Sequence, residues 1–114
     1  MPISADVIRG HTETIILAHL LEHDSYGYEI NKSIQESSGG AYELREATLY
    51  GVFRRLEENN YIKSYWGDEA RGARRRYYQV TPAGREFYIK SIADWKQTIK
   101  LINLLIKSEG DHNE

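Results

Sequence analysis

Residues 46–81 read EATLYGVFRRLEENNYIKSYWGDEARGARRRYYQVT, and this stretch decides the fold. Its first part has apolar residues at the spacing i, i+3, i+4 and i+7, which predicts one buried side of a helix over 46–59. Two runs rich in β-branched and aromatic residues follow at 61–66 and 77–81, and these predict the two strands of a hairpin. The apolar residues of the helix are Leu49, Val52, Phe53 and Leu56.

The other side of the predicted helix is small and cationic. It carries Ala47, Gly51, Arg54 and, at its end, Glu58, about 180° from the apolar side at about 100° per residue. A glycine in the middle of a helix costs about 1 kcal/mol relative to alanine, so Gly51 needs a reason. Small residues let a helix backbone approach another surface closely, and the major groove of DNA is one such surface. The alternative is that another helix of the protein packs here.

The turn of the predicted hairpin is rich in arginine. Guanidinium groups bind phosphate through two parallel hydrogen bonds and do not lose their charge, so this cluster is typical of a nucleic-acid contact. A solvated charge run balanced by Asp68 and Glu69 is the alternative. Helix, ribbon and cationic tip together predict an α+β, mostly helical fold of the winged helix-turn-helix class, with Trp66 in its core. The arginines are Arg71, Arg74, Arg75 and Arg76.

Length and composition limit what the chain can be. Its 114 residues fit one structural domain, and a net charge of −2 does not by itself indicate a nucleic-acid partner. The absence of cysteine excludes disulfides, thiolate zinc sites and thiol nucleophiles. No apolar run is long enough to span a membrane and no signal-peptide pattern is present, so we expect a cytoplasmic protein.

Three further helices are predicted. The first covers about 4–22, and the second covers 26–37 with Ser25 as its capping residue. Thr81 followed by Pro82 is a strong helix start, and the last helix should run to about 108. We therefore divide the chain into a winged-helix part at 1–81, a C-terminal dimerisation helix at 82–108 and a polar, disordered tail at 109–114.

The last helix carries a heptad seam. Its apolar residues are spaced by four, three, four, three and four positions. Three short helices and a hairpin do not suffice to cover so long a seam, so we predict a twofold homodimer in which this helix packs on its partner. Burial of the seam within one chain is the alternative. The seam residues are Tyr88, Ile92, Trp95, Ile99, Ile102 and Ile106.

Five segments of the chain resemble the PadR family of bacterial transcriptional regulators, and the likeness extends over about 8–106. They are 46–50 (EATLY), 53–57 (FRRLE), 65–69 (YWGDE), 72–78 (GARRRYY) and 81–84 (TPAG). The single C-terminal helix is similar to the short subfamily and to its multidrug-responsive branch. The resemblance implies a dimeric repressor whose recognition helix contacts DNA through Thr48, Tyr50 and Arg54, with Arg55 beside them, and whose wing approaches the DNA backbone through Arg74, Arg75 and Arg76.

The resemblance also implies an effector site. Trp95 matches an interface tryptophan that stacks on flat aromatic ligands. A Trp95 ring that only fills the dimer interface is the alternative. Two departures are Ile99, where the multidrug branch has an acid, and Glu13, where it has an asparagine. The positions that match the lining of that pore are Val7, Gly10, Thr14 and Leu17.

Catalysis and metal binding are not expected. His19 and His23 lie one helical turn apart, a spacing that can bind a metal, but no third ligand is evident and a solvated helix face explains them. We therefore expect no cofactor.

The expected function is that of a repressor, which binds an inverted-repeat operator whose half-sites lie about one DNA turn (~34 Å) apart. A planar aromatic compound would release it from an efflux or detoxification gene. A regulator of phenolic-acid stress genes and a winged helix used only for protein contacts are the alternatives.

Overall fold

The computed structural model describes residues 8–67 and 74–107 of the chain. Within these residues it has four α-helices and one two-stranded antiparallel sheet, which confirms the mostly helical winged helix-turn-helix fold. The elements are a 3₁₀ turn Arg9–His11, α1 Thr12–Glu22, α2 Gly27–Ser37, α3 Glu46–Glu58, β1 Ile62–Trp66, β2 Arg76–Val80 and α4 Pro82–Ile106.

The core forms where α3 meets the sheet and helices α1 and α2. All four residues of the predicted apolar side of α3 are buried, as expected from their spacing. The Phe53 ring stacks on the Tyr78 ring of β2, with centroids 3.9 Å apart and planes 15° apart. Burial raises the pKa of Tyr78 because the phenolate would lose its hydration there. Ile16, Leu17, Ile30 and Ile34 complete this core from α1 and α2.

The strand register confirms which residues share a face of the sheet. Ile62 pairs with Val80, Ser64 with Tyr78, and Trp66 with Arg76. We call the face that carries these three pairs the inner face, because Ile62 and Tyr78 are buried on it against the core.

Trp66 corrects the prediction that it lies in the core. It is 55% exposed, because its pair with Arg76 is the last of the ladder and extends beyond the buried part of the inner face. Tyr65 and Tyr77 stack on each other on the opposite, outer face with centroids 5.7 Å apart.

The segment between α1 and α2 pairs with the free edge of β2. The Tyr78 amide donates to the Ser25 carbonyl over 2.8 Å, and the Ser25 amide donates to the Tyr78 carbonyl over 3.3 Å. The prediction that Ser25 caps α2 is therefore wrong, since extended pairing places Tyr26 at the N-cap instead. The Ser25 hydroxyl donates to the Glu29 carboxylate.

The ends of the helices differ from the predictions in detail. The first helix was predicted to include 9–11 as regular helix, but these residues form the 3₁₀ turn and α1 begins at Thr12; the predicted part at 4–7 lies outside the described residues. The Thr81 hydroxyl accepts a hydrogen bond from the Gly84 amide over 3.0 Å with Pro82 at the first helical position, which confirms the predicted start of α4. At the other end Lys107 adopts the left-handed conformation, with φ of 53°, and stops the helix after Ile106. The predicted tail at 109–114 lies outside the described residues.

Helix α4 packs on the domain mainly through its first half. There the Phe87 ring stacks on the Tyr61 ring with centroids 4.3 Å apart, and Gly84 lies against the backbone of Tyr61. The C-terminal half extends away from the core. Several of its large apolar side chains are exposed to solvent, and Leu105 and Ile106 are 72% and 66% exposed.

Replacing Gly84 by alanine should destabilise the fold. A Cβ at this position would lie 2.0 Å from the Tyr61 carbonyl oxygen, so the backbone of α4 or of the β1 approach must shift. We expect urea denaturation to give a free energy of unfolding about 1–3 kcal/mol lower than that of the unmodified chain.

Gly51→Ala is the matched control, because a Cβ on Gly51 meets nothing within 4 Å. Helix propensity then raises the stability by up to about 1 kcal/mol. Equal stability of the two alanine variants at one protein concentration would contradict the packing described for Gly84.

Candidate nucleic-acid interface

The exposed side of α3 is built as the sequence predicts. Ala47, Thr48 and Arg54 are exposed, and Gly51 has no atom within 4 Å of the position of a Cβ. No other part of the described chain therefore packs on this side, which removes the helix-packing alternative within one protomer. We call Ala47, Gly51 and Arg54 the small face of α3.

Tyr50 is held on the flank of the small face by α2. Its ring meets the Phe53 ring edge-on at 5.5 Å, and its hydroxyl would lie 2.6 Å from a Cβ on Gly27. Glycine at position 27 is therefore what lets the Tyr50 ring lie over the start of α2. The phenol remains 43% exposed beside an open cavity of about 300 Å³ between α2 and α3.

We call the ribbon formed by β1 and β2, with the described residues that lead into it, the wing. Arg74 and Arg75 of the wing lie over aromatic rings. The Arg74 guanidinium carbon is 5.3 Å from the centre of the Trp66 ring. The Arg75 guanidinium carbon is 4.7 Å from the centre of the Tyr26 ring, at the start of α2. Both arginines are exposed. Arg71, the remaining predicted contact at the tip, lies outside the described residues.

Arg76 and Arg55 have carboxylate partners, and the Arg76 guanidinium carbon also lies 5.8 Å from the centre of the Tyr78 ring. Arg76 Nε donates to Ser64 Oγ over 3.0 Å, and Arg76 Nη2 lies 3.4 Å from a carboxylate oxygen of Glu57 on α3. Arg55 Nε lies 3.5 Å from Glu13 Oε2 on α1. These two cations were predicted to contact DNA. In the structure they join α3 to the wing and to α1, and their charges are partly neutralised.

Asp24 fastens the outer face of the wing to the loop between α1 and α2. Its Oδ2 accepts hydrogen bonds from the Tyr65 hydroxyl over 2.6 Å and from Gln79 Nε2 over 3.2 Å. The bond to this carboxylate raises the pKa of Tyr65 to about 12, because the phenolate would lose the bond and face a like charge. His23 Nδ1 donates to the Asp24 carbonyl over 2.7 Å, and this bond raises the pKa of His23 above its ordinary value.

A second surface lies between α1 and α4. An open cavity of about 560 Å³ has a largely apolar lining, with Thr14 and Trp95 among its walls. The Trp95 ring is 41% exposed and meets the His11 ring edge-on, with centroids 4.5 Å apart. The lining residues are Ile8, His11, Thr14, Ile15, Ala18, Tyr88, Ile92, Trp95, Thr98 and Ile102.

Two other predicted ligand contacts, Leu17 and Gly10, do not join Trp95 and Thr14 in this lining. Leu17 is fully buried in the hydrophobic core, so it offers no surface to a ligand. Gly10 lies in the exposed 3₁₀ turn and is not part of the wall. Val7 lies outside the described residues. Five of the wall residues were not predicted from the sequence to lie at this site or on the seam of the last helix: Ile8, His11, Ile15, Ala18 and Thr98. His11 was missed because it lies in a 3₁₀ turn that was expected to be regular helix.

The seam of α4 becomes more exposed toward its C-terminal end. Ile92 is half-buried, whereas Ile99, Ile102 and Ile106 are exposed.

The residues that the structure describes contain no group of three or more potential metal ligands and no helix long and apolar enough to cross a bilayer. His19 instead shares a hydrogen bond of 3.0 Å with Ser33.

The chain is similar to known proteins in sequence and in structure. The model of the transcriptional regulator PadR-like family matches residues 16–90. A transcriptional regulator from Clostridium thermocellum is similar in structure with a TM-score of 0.82 and 51% identity, over 89% of this chain and 95% of that one. A PadR family transcription regulator from Clostridium difficile R20291 gives a TM-score of 0.74 and 34% identity over 84% and 98% of the two chains. An uncharacterized protein from Lysinibacillus sphaericus is 38% identical over 105 residues, which are 92% of this chain and 96% of that protein.

The bond between Tyr65 and Asp24 should be visible in the titration of the phenol. We expect the ¹³Cζ resonance of Tyr65 to titrate with a midpoint near 12, and Asp24→Asn to move that midpoint down toward 10. Because the pKa is raised in the folded state, the stabilisation by this bond is present below pH 10 and is lost as the pH rises through about 12. Glu58→Gln, which removes an exposed acid of α3, is the control and should leave the midpoint unchanged. A Tyr65 midpoint near 10 in the unmodified chain would show that the bond is not formed in solution.

Proposed function

The chain belongs to the PadR-like family of transcriptional regulators, and from this premise we propose a dimeric DNA-binding repressor that a planar aromatic ligand releases. The observation that supports it most is that exposed cations lie on two elements that pack against each other. Arg54 of α3 and Arg74 and Arg75 of the wing are exposed on elements that the Phe53–Tyr78 stack holds together.

In this proposal the small face of α3 enters the major groove. Gly51 costs stability in the middle of a helix, and no contact within the described chain requires it. Close approach of the helix backbone to base edges supplies a reason. Thr48 and Tyr50 flank this face, where a hydroxyl can donate to or accept from a base or a phosphate, and Arg54 offers the bidentate donor that guanine or phosphate accepts.

The wing arginines neutralise phosphates beside that groove. Arg74 and Arg75 supply the contacts, with Arg71 as a further candidate at the tip. Arg55 and Arg76 support the interface indirectly, because their ion pairs with Glu13 and Glu57 fix α3 against α1 and the wing.

A second copy of the chain completes the DNA-binding unit. The C-terminal half of α4 leaves apolar side chains on its surface that a monomer in water would not favour. We propose that Ile92, Ile99, Ile102 and Ile106 pack against the partner around a twofold axis. Two copies of α3 then face two half-sites of an inverted repeat, about one helical turn apart.

The cavity beside Trp95 is the proposed effector site. Its volume of about 560 Å³ is within the range of small-molecule pockets, and its wall is largely apolar. The exposed face of Trp95 suits a flat aromatic ring, and Thr14 is a polar contact at the wall. Because the cavity borders the seam, a ligand that favours a different spacing of the two protomers would lower the affinity for DNA. Control of an efflux or detoxification gene is consistent with such a ligand.

Removing the wing charges should weaken DNA binding in a salt-dependent way. We expect Arg74→Ala/Arg75→Ala to lower the affinity for DNA and to reduce the slope of log K against log salt by about 0.9 for each lost phosphate contact. The probe is a duplex from the region that the unmodified protein protects in a footprint upstream of its own gene. Fluorescence anisotropy over a series of salt concentrations gives both quantities.

The matched control is Lys90→Ala/Lys100→Ala, which removes two exposed cations of α4 away from the proposed interface. Its slope should equal that of the unmodified chain. An unchanged slope in the arginine variant would remove the wing from the interface, and an acidic protein partner would then be the better explanation of its charge.

Trp95 should report on the effector site. We expect planar aromatic dyes to quench tryptophan fluorescence, and Trp95→Ala to abolish that quenching, because the ring would be the surface on which the dye stacks. Trp66→Phe removes the other tryptophan of the chain and should leave the quenching intact. If Trp95→Ala is still a dimer and retains the quenching, the ligand binds elsewhere.

A further inference from the structure

The rings beneath Arg74 and Arg75 belong to Trp66 and Tyr26, and neither ring is part of the hydrophobic core. The Trp66 ring is more than half exposed, yet Arg74 lies 5.3 Å from its centre. The Tyr26 ring is half-buried at the start of α2, and Arg75 lies 4.7 Å from its centre. Both distances are within the range at which a guanidinium is attracted to the face of an aromatic ring.

The two guanidiniums are held on opposite faces of the wing. Arg74 precedes β2 with the same alternation as Arg76 and Tyr78, which places it with Trp66 on the inner face. Arg75 has the alternation of Tyr77 on the outer face, and the Tyr77 ring itself meets the Tyr26 ring edge-on at 5.3 Å. Two neighbouring residues are thus directed to two sides of the ribbon, each by its own ring.

A guanidinium over a ring remains able to bind an anion. The ring attracts the face of the guanidinium, whereas the N–H groups that bind phosphate point outward in its plane. Arg76 also lies over a ring, that of Tyr78 at 5.8 Å, while its N–H groups bond to Ser64 and Glu57, so a ring contact and polar partners occur together on one guanidinium. An arginine whose side chain is already ordered also loses less conformational entropy when it binds.

We propose that Trp66 and Tyr26 are positioning residues, which fix Arg74 on the inner face and Arg75 on the outer face of the wing so that they contact two different phosphates of the duplex. This inference rests on the proposed DNA binding and specifies how the wing carries it out. It also gives the exposed Trp66 a role, since the core does not use its ring.

A double-mutant cycle on DNA affinity tests the proposal. With the footprinted duplex as probe, Trp66→Ala should weaken binding about two- to fivefold per wing, and so about four- to twenty-fivefold for a dimer with two equivalent wings. In an Arg74→Ala background the same substitution should change the affinity less than about twofold, because the cation that the ring holds is gone. In an Arg75→Ala background, which is the matched control, Trp66→Ala should keep its full effect.

A second measurement does not depend on DNA. The Nε–Hε resonance of Arg74 should be shifted by the ring current of Trp66, and this shift should vanish in Trp66→Ala and persist in Trp66→Phe. An Arg74 resonance that does not respond to the loss of the ring would overturn the proposal.

The outcomes separate the inference from the function beneath it. An equal effect of Trp66→Ala with and without Arg74, or no effect in either, overturns the positioning role while DNA binding stands. Coupling of Trp66 to Arg75 as strong as to Arg74 overturns the assignment to two faces. A chain that binds no duplex even in dilute buffer overturns the proposed function and this inference with it.

Discussion

The stacked pair of Phe53 and Tyr78 is the contact on which the arrangement of this protein depends. Phe53 lies on α3, whose exposed side is the small face, and Tyr78 is the middle residue of β2 in the wing. Tyr78 also pairs through its backbone with Ser25, so the loop between α1 and α2 is fixed to the same point. Helix, wing and loop therefore form one rigid unit, and the distance between α3 and the wing is set by packing.

Charge is distributed around this unit in two ways. Glu13 and Glu57 pair with Arg55 and Arg76, and these exposed or half-exposed pairs hold neighbouring elements in register more than they add stability. Arg54, Arg74 and Arg75 are not part of those two pairs and lie on the surface proposed to meet DNA. The net charge of −2 is thus compatible with a locally cationic face.

Helix α1 touches both surfaces of the molecule. Thr14 is part of the wall of the cavity beside Trp95, and its neighbour Glu13 pairs with Arg55 on the helix proposed to read DNA. That ion pair is exposed and weak, so the two helices are held together chiefly by the common hydrophobic core, which includes Leu17 of α1 and Leu56 of α3.

The sequence alone determined the periodic features, because apolar spacing records which side of an element is buried: the core side of α3, the alternation of β1 and β2, and the start of α4 at Thr81 and Pro82 were all predictable. It could not determine contacts between residues far apart in the chain. Trp66 is a residue type common in strands, and the sequence predicts its strand. It is exposed beneath Arg74 because the hydrophobic core ends before the last pair of the ladder, which only the tertiary structure shows. Ser25 has the chemistry of a helix cap, and only the free edge of β2 makes it a strand partner. Arg75 and Tyr26, Arg76 and Glu57, and His11 and Trp95 meet because tertiary packing brings them together, and no local pattern encodes a partner chosen by packing.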